Sequence, residues 1–154
     1  MKRLNVYLVM VAVCGAVFCG CGEKAASFDV TELGSALNSQ ITYQDELMLM
    51  DTDTASMFLN LSDINIVNSA IYEGAGATAE EIVVLECASA EDARKAENMM
   101  KDRVAEQKES FVDYVPEEVN KLNEAIIVTN GNYAVLSVSN DTAGAKKIIE
   151  QYMK

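Results

Sequence analysis

The stretch VFCGCGEK, Val17 to Lys24, sets Cys19 and Cys21 two residues apart among glycines. Thiolates at that spacing suit a soft metal ion or thiol exchange, but a closed zinc site needs four ligands. The chain has no histidine, and its other cysteines are Cys14, inside an apolar run, and Cys87. The metal reading therefore lacks ligands. Asp51-Thr52-Asp53, with Asp45 and Asp63 nearby, also groups carboxylates. A calcium loop requires a turn glycine and a later bidentate glutamate at fixed spacing, both missing here. Helix capping and loop solvation account for these acids, with weak divalent-cation binding as the alternative. Gly74-Ala75-Gly76 followed by Thr78-Ala79-Glu80-Glu81 holds fragments of a nucleotide loop and of a capping box. The full phosphate-binding pattern is absent and a strand follows, so a simple turn is the reading. Glu80, Glu81, Glu117 and Glu118 supply acids for a glycosidase pair. The chain has no tryptophan to serve as a sugar platform, and no histidine to act as base to a serine nucleophile. No catalytic residue, metal site or cofactor is assigned; a small carboxylate-dependent hydrolase acting on cell-wall material stays as the alternative function.

The start of the chain gives the CGC stretch its meaning. Lys2 and Arg3 precede an apolar run from Leu4 to Phe18, broken only by Asn5, and small residues follow. That is the layout of an export signal. The run falls short of the roughly 20 residues that span a bilayer, although extension through Gly22 leaves an uncleaved anchor open. Phe18-Cys19-Gly20-Cys21 resembles the lipobox of bacterial lipoproteins, in which the signal is cut just before a lipidated cysteine. Gly20 is the small residue such a cut needs, so Cys21 is the expected acylation site; Phe18 and Val13 are too bulky to serve Cys19 or Cys14. The family usually has leucine and a small residue where this chain has Phe18 and Cys19. Acyl chains such as palmitate add about 0.8 kcal/mol of membrane affinity per buried methylene, so a two-chain lipid holds a protein stably. The expected organisation is a signal peptide at 1–20, a lipidated cysteine and short tether at 21–27, and a single extracytoplasmic domain at 28–154.

Cutting before Cys21 leaves 134 of the 154 residues and 10 of the 12 bases against all 24 acids, a net charge of −14. Such a chain suits one domain with a sizeable core. Its charge argues against nucleic acid, whose phosphates it would repel, and against a basic patch on anionic lipid. Solubility beside an anionic envelope explains the acids; capture of cationic peptides or metal ions is the alternative.

Helical spacing of Val30, Leu33, Leu37 and Ile41 predicts a helix over 28–41. Residues 42–54 are mixed. Thr52 or Asp53 is the expected cap of a short helix reaching Leu59. Ile64–Tyr72 and IVVLEC, Ile82 to Cys87, read as strands from their branched apolar content. Alternation makes Cys87 a core residue rather than a nucleophile. Ser89 caps a long helix whose stripe is Ala93, Ala96, Met100, Val104 and Phe111, with Glu91/Lys95 and Glu97/Lys101 as pairs four apart. Pro116 opens a short helix through Leu122. AIIVTNGNYAVLSVS, Ala125 to Ser139, is a hairpin turning at Asn130-Gly131, which sets Val128 opposite Tyr133 and Ile126 opposite Val135. Asn140-Asp141-Thr142 starts a closing helix with Ala145, Ile148, Ile149 and Tyr152 inward.

That order predicts an α+β two-layer sandwich, a four-stranded, mainly antiparallel sheet with helices packed on one face. The last hairpin is apolar on both faces, so the second face needs cover from N-terminal helices or from a partner. YEGAGATAEEIVVLE, KESFVDYVPEEVNKL and TNGNYAVLSVS, in that order, resemble a family of small lipoproteins from Gram-positive anaerobes, domain-of-unknown-function family 4358, over about 28–152. The resemblance implies a lipid anchor and assigns no activity. The expected role is a non-catalytic binding or scaffolding module of the cell envelope. It would be held to the membrane through Cys21 and would face an envelope protein or peptide. Tyr72, Gly74, Gly76 and Tyr114, with Phe111, are the candidate binding residues, and Tyr72 and Tyr114 are expected to share one patch.

Overall fold

The computed structural model describes residues 27–154; Gly20, Cys21 and nearly all of the tether lie outside the described residues. Among the described residues no helix is long and apolar enough to cross a membrane. In chain order the elements are α1 (Val30–Gln40), β1 (Met48–Met50), α2 (Thr52–Ala55), β2 (Ile66–Glu73), β3 (Glu81–Cys87), α3 (Ala90–Val112), α4 (Glu118–Asn123), β4 (Ile126–Asn130), β5 (Tyr133–Val138) and α5 (Thr142–Tyr152). Short polar side chains start the helices by accepting free N–H groups of the first turn. Asp29 accepts from Thr31, Ser89 from Asp92 and Asp141 from Gly144. Asp51, not Thr52 or Asp53, caps α2, accepting from the Thr54 N–H. Pro116 stands before α4 in a preceding turn, with Glu117 at its cap. On α3, Lys101 pairs with Glu97 as its spacing requires, while Lys95 pairs with Asp92 rather than Glu91.

The strands form one antiparallel sheet of five, in the order β1-β2-β3-β5-β4. The additional strand, β1, comes from the mixed stretch. Met48, Leu49 and Met50 carry little intrinsic strand preference; pairing with Tyr72 and its neighbours draws them into the sheet. The hairpin register also differs from the expected one. Asn130 lies opposite Tyr133, and Val128 opposite Val135, so the turn residues are Gly131 and Asn132. Of these two turn residues Gly131 takes positive φ, 59°, and Asn132 does not, as a turn with glycine in its first central position requires. The pairing moves by two residues, so every side chain keeps its expected face.

Helices cover both faces of the sheet, not one. Val83, Leu85, Cys87, Ile71, Leu136 and Val138 point to α3 and α4 and pack on Ala93, Ala96, Met100, Phe111 and Leu122. Ile82, Val84, Ala70, Tyr72, Tyr133 and Val135 point to α1 and α5, against Leu33, Leu37, Ala145 and Ile149. The two-layer expectation therefore becomes three layers, with the first and last helices side by side on the second face. That explains why Ile82–Leu85 of β3 and Ala134–Leu136 of β5 are apolar on both faces: strands covered on both sides have no wet face to keep polar. Phe28 fastens the beginning of the domain to this face, stacked 4.3 Å from the Tyr133 ring and edge-on to Tyr152.

Gly34 lets α1 lie close on the sheet. A Cβ there would stand 2.7 Å from Ala70 Cβ and 3.1 Å from the Tyr72 ring. Gly34→Val must therefore push the helix off, and the expected loss is about 2 kcal/mol or more, read as a lower urea midpoint. An unchanged midpoint would mean that α1 does not pack here.

Candidate functional site

Glu80 and Glu81 lead into the central strand, and their carboxyls reach separate partners, Lys121 and Arg103. Glu81 is fully enclosed on the α3 face, opposite Glu73 of β2. Arg103 of α3 reaches both acids, with Nε 3.2 Å from Glu81 Oε2 and Nη2 3.1 Å from Glu73 Oε1. Gln107, one turn on, accepts from Arg103 Nη2 at 2.7 Å, the amide being oriented by its donors. The guanidinium also lies 5.3 Å from the centre of the Phe58 ring, within reach of a cation–π attraction.

Two carboxylates facing one guanidinium leave a surplus negative charge away from water. Burial pushes the Glu81 carboxyl well above its ordinary value. Its hydrogen bond to Glu73 and the Glu73 charge add to the rise, and Arg103 opposes it. The pair thus keeps a proton where an exposed glutamate has lost its own.

Arg103 lines two clefts, and Glu73 and Gln107 join it in the smaller one. On one side, a space of about 290 Å³ opens between the β2–β3 turn and the end of α3, lined by Gly76, Thr78, Gln107, Ser110 and Tyr114 among others. On the other, Arg103 borders a broader cleft of about 630 Å³ with Phe58, Asn60, Lys95 and Asn98. Tyr114 is 76% exposed at the mouth of the smaller cleft. Gly76 turns the chain into it with φ +85°. Gly74 lies against Asp45, which accepts the Ala75 N–H at 2.8 Å; a Cβ on Gly74 would strike that carboxylate at 2.7 Å. The structure thus brings Gly76 and Tyr114 together. It separates Tyr72 from them. Tyr72 is buried under α1 on the opposite face, because its place in β2 alternates with that of Glu73. Phe111 is a core residue of the α3 face.

The other glutamate pair is a structural clamp. Glu80 Oε2 accepts the N–H groups of Gln44 at 2.7 Å and Asp45 at 3.2 Å. Glu118 Oε2 accepts the Ala79 N–H at 2.8 Å. Lys121 sits between them, 2.9 Å from Glu118 Oε2 and 3.2 Å from Glu80 Oε1, and donates to Gln44 as well. The contact to Glu80 is an ion pair off the hydrogen-bonding angle, since Oε1 accepts no hydrogen bond. All three charged groups are buried, and the cluster ties α4 to the start of β3 and to the loop after α1. Glu117 is exposed, so Glu80, Glu81, Glu117 and Glu118 form no pair facing a cleft. Among the described residues no three acids or cysteines converge as metal ligands. Cys87 is buried in the core, where loss of water raises its thiol to about 11, with Asp92 and Glu86 adding to the effect.

Arg103, Gln107 and Glu73 do not stand out in the sequence, although one signal exists. The α3 stripe passes from Val104 to Phe111 through Gln107, a polar residue at a buried position. Such an interruption marks a polar cluster inside the fold.

A small α+β domain with an open antiparallel sheet, helices on both faces and a cleft above a buried ion cluster is the class these observations define. The chain belongs to the family described as domain of unknown function DUF4358, whose model matches residues 40–139. The match runs from the last residue of α1 past the end of β5 and includes both ion clusters. No curated protein and no solved structure matches the chain.

Two outcomes follow from the clusters. The stabilisation from the proton held by Glu81 is fully present below the ordinary value of 4.5 and is lost as pH rises toward the raised one. Glu81→Gln should remove that slope, up to about 1.4 kcal/mol per pH unit, and be at least as stable as the parent at neutral pH. Urea unfolding at a series of pH values reads this; an unaltered slope would refute it. Lys121→Met strands two buried carboxylates and should cost about 3–5 kcal/mol. Lys146→Met, at an exposed pair with Glu150 spaced 4.0 Å, should cost almost nothing.

Proposed function

We propose that the protein is a lipoprotein held on the extracytoplasmic face of the cell membrane through Cys21, and that its domain is a non-catalytic binding or scaffolding module for another component of the envelope. The anchor rests on the order of charges, apolar run, Gly20 and Cys21 in the sequence. The tether at 22–27 spans at most roughly 20 Å when extended, so a partner would be met close to the bilayer.

The observation that carries the binding reading is the cleft beside Arg103. Tyr114 stands exposed at its mouth, while Glu81 is enclosed and turned to Arg103 instead of the opening. An exposed aromatic above a rigid floor suits recognition, since tyrosines are frequent anchors at interfaces. A general acid or base must reach its substrate, and Glu81 is shut away from the cleft.

Fatty-acid labelling and membrane fractionation test the anchor. The parent should be labelled and sediment with membranes; Cys21→Ala should lose both. A labelled, membrane-retained Cys21→Ala would overturn the proposal. For the cleft, partners crosslinked in native membranes should be recovered about tenfold less with Tyr114→Ala, at unchanged thermal stability. Equal recovery would place the binding surface elsewhere.

A further inference from the structure

We propose that the outer edge of β1 takes up an extended segment of a cationic partner protein as a sixth strand. The segment would be apolar at its centre and carry lysine or arginine at both ends. This rests on reading the domain as a binding module, and is independent of the lipid and of the Tyr114 cleft.

In the sheet of the described residues β1 lies at the end of the order and pairs with β2 alone. Among the described residues no other backbone or side-chain hydrogen bond reaches Met48–Met50. One row of its N–H and C=O groups therefore faces solvent, a template for another strand. Met48 is 57% and Leu49 61% exposed. As neighbours in a strand they point to opposite faces, so a guest strand beside them gains an apolar contact on each. The sheet's other edge differs, since Ile126, Ile127 and Val128 of β4 are half-buried. Proteins usually guard an open edge by keeping it very short, as the three residues of β1 do, or with lysine, proline or a bulge. Here the one proline is Pro116, and the register shift lies in β2 between Ile66 and Asn68.

Charge selects the guest. Lys24 is followed by no lysine or arginine until Arg94, so every charged side chain in between is an acid. Glu46 precedes β1, Asp51 and Asp53 follow it, and all three are exposed. Arg103, the base that reaches Glu73 opposite Met48, is engaged by Glu73 and Glu81. A second copy of this chain would bring the same acids against these. A segment with basic ends would instead pair with Glu46 on one side and Asp51 and Asp53 on the other, while its backbone extends the ladder.

The test uses the full chain in detergent micelles and a fluorescent heptapeptide, Lys-Lys-Val-Val-Val-Lys-Lys. Binding by anisotropy should be salt-sensitive, and peptide should slow hydrogen exchange at the amides of Met48–Met50. The same peptide N-methylated at alternate residues, and the version with Glu for Lys, should bind at least about tenfold more weakly. Leu49→Lys should weaken binding similarly, and the Glu46→Lys, Asp53→Lys double variant, which leaves the Asp51 cap of α2 in place, should prefer the acidic peptide. Equal binding of the N-methylated peptide, or protection at β4 and not β1, would overturn the proposal. So would β1 protection that rises with protein concentration without peptide, since a second copy would then hold the edge. Any of these results alongside Tyr114-dependent partner recovery overturns the β1 proposal alone.

Discussion

Glu80 and Glu81 stand at the head of the central strand with their carboxyls inside the protein, and an enclosed carboxylate costs several kcal/mol unless it is answered. Much of the architecture meets that requirement. The two acids reach separate clusters, so two answers are needed. Arg103 supplies one from the middle of α3, which sets that helix against β2 and β3. Lys121 supplies the other, and with Glu118 it fixes the short α4 at the end of the sheet. Both clusters hold two acids to one base. Each has one carboxylate in excess of its base, and at Glu81 burial favours the protonated form that removes the excess.

The same arrangement shapes the surface. Arg103 is a structural residue that also forms a wall between two clefts, so the groups that a ligand would meet are held by the groups that hold the fold. Gly76 and Tyr114 belong to segments 38 positions apart in sequence numbering and meet only because the β2–β3 turn folds over the end of α3. The β1 edge lies outside this scheme. It is stitched to the sheet by one neighbour, Asp45 and Asp51 organise the turns on either side of it, and it keeps exposed methionine and leucine where a purely structural edge would carry charge.

Coverage of the second face follows from strand composition. β3 and β5 have no polar face, so a single layer of helices would leave Ile82, Val84 and Val135 against water at about 25 cal/mol per Å² of apolar surface. α1 and α5 remove that exposure, and Gly34 permits the close approach. The two ends of the domain thus meet on one face, joined by the Phe28 contact with Tyr133 and Tyr152.

The five helices and four of the five strands, the cap at Ser89, the core place of Cys87 and the hairpin near Gly131 are legible in the sequence, because local spacing and turn chemistry decide them. Family membership is legible too, from segments spread along the chain. β1 is not legible, because nothing in Met48-Leu49-Met50 prefers a strand until Tyr72 and its neighbours lie alongside. The hairpin turn falls one residue later than its Asn-Gly signal, because pairing along all of β5 outweighs a two-residue preference. Gly76 and Tyr114 are recognisable one by one, but their meeting is not, and the sequence equally suggests Tyr72, which alternation turns inward. The partnership of Glu73, Glu81 and Arg103 is the clearest case. Acids and bases are common in this chain, and only the tertiary structure decides which of them leave water together. The sequence by itself determined the helices, four of the strands and their order, since those depend on residues a few positions apart. The tertiary structure alone decided which charges share a buried site, since that depends on contacts between residues tens of positions apart.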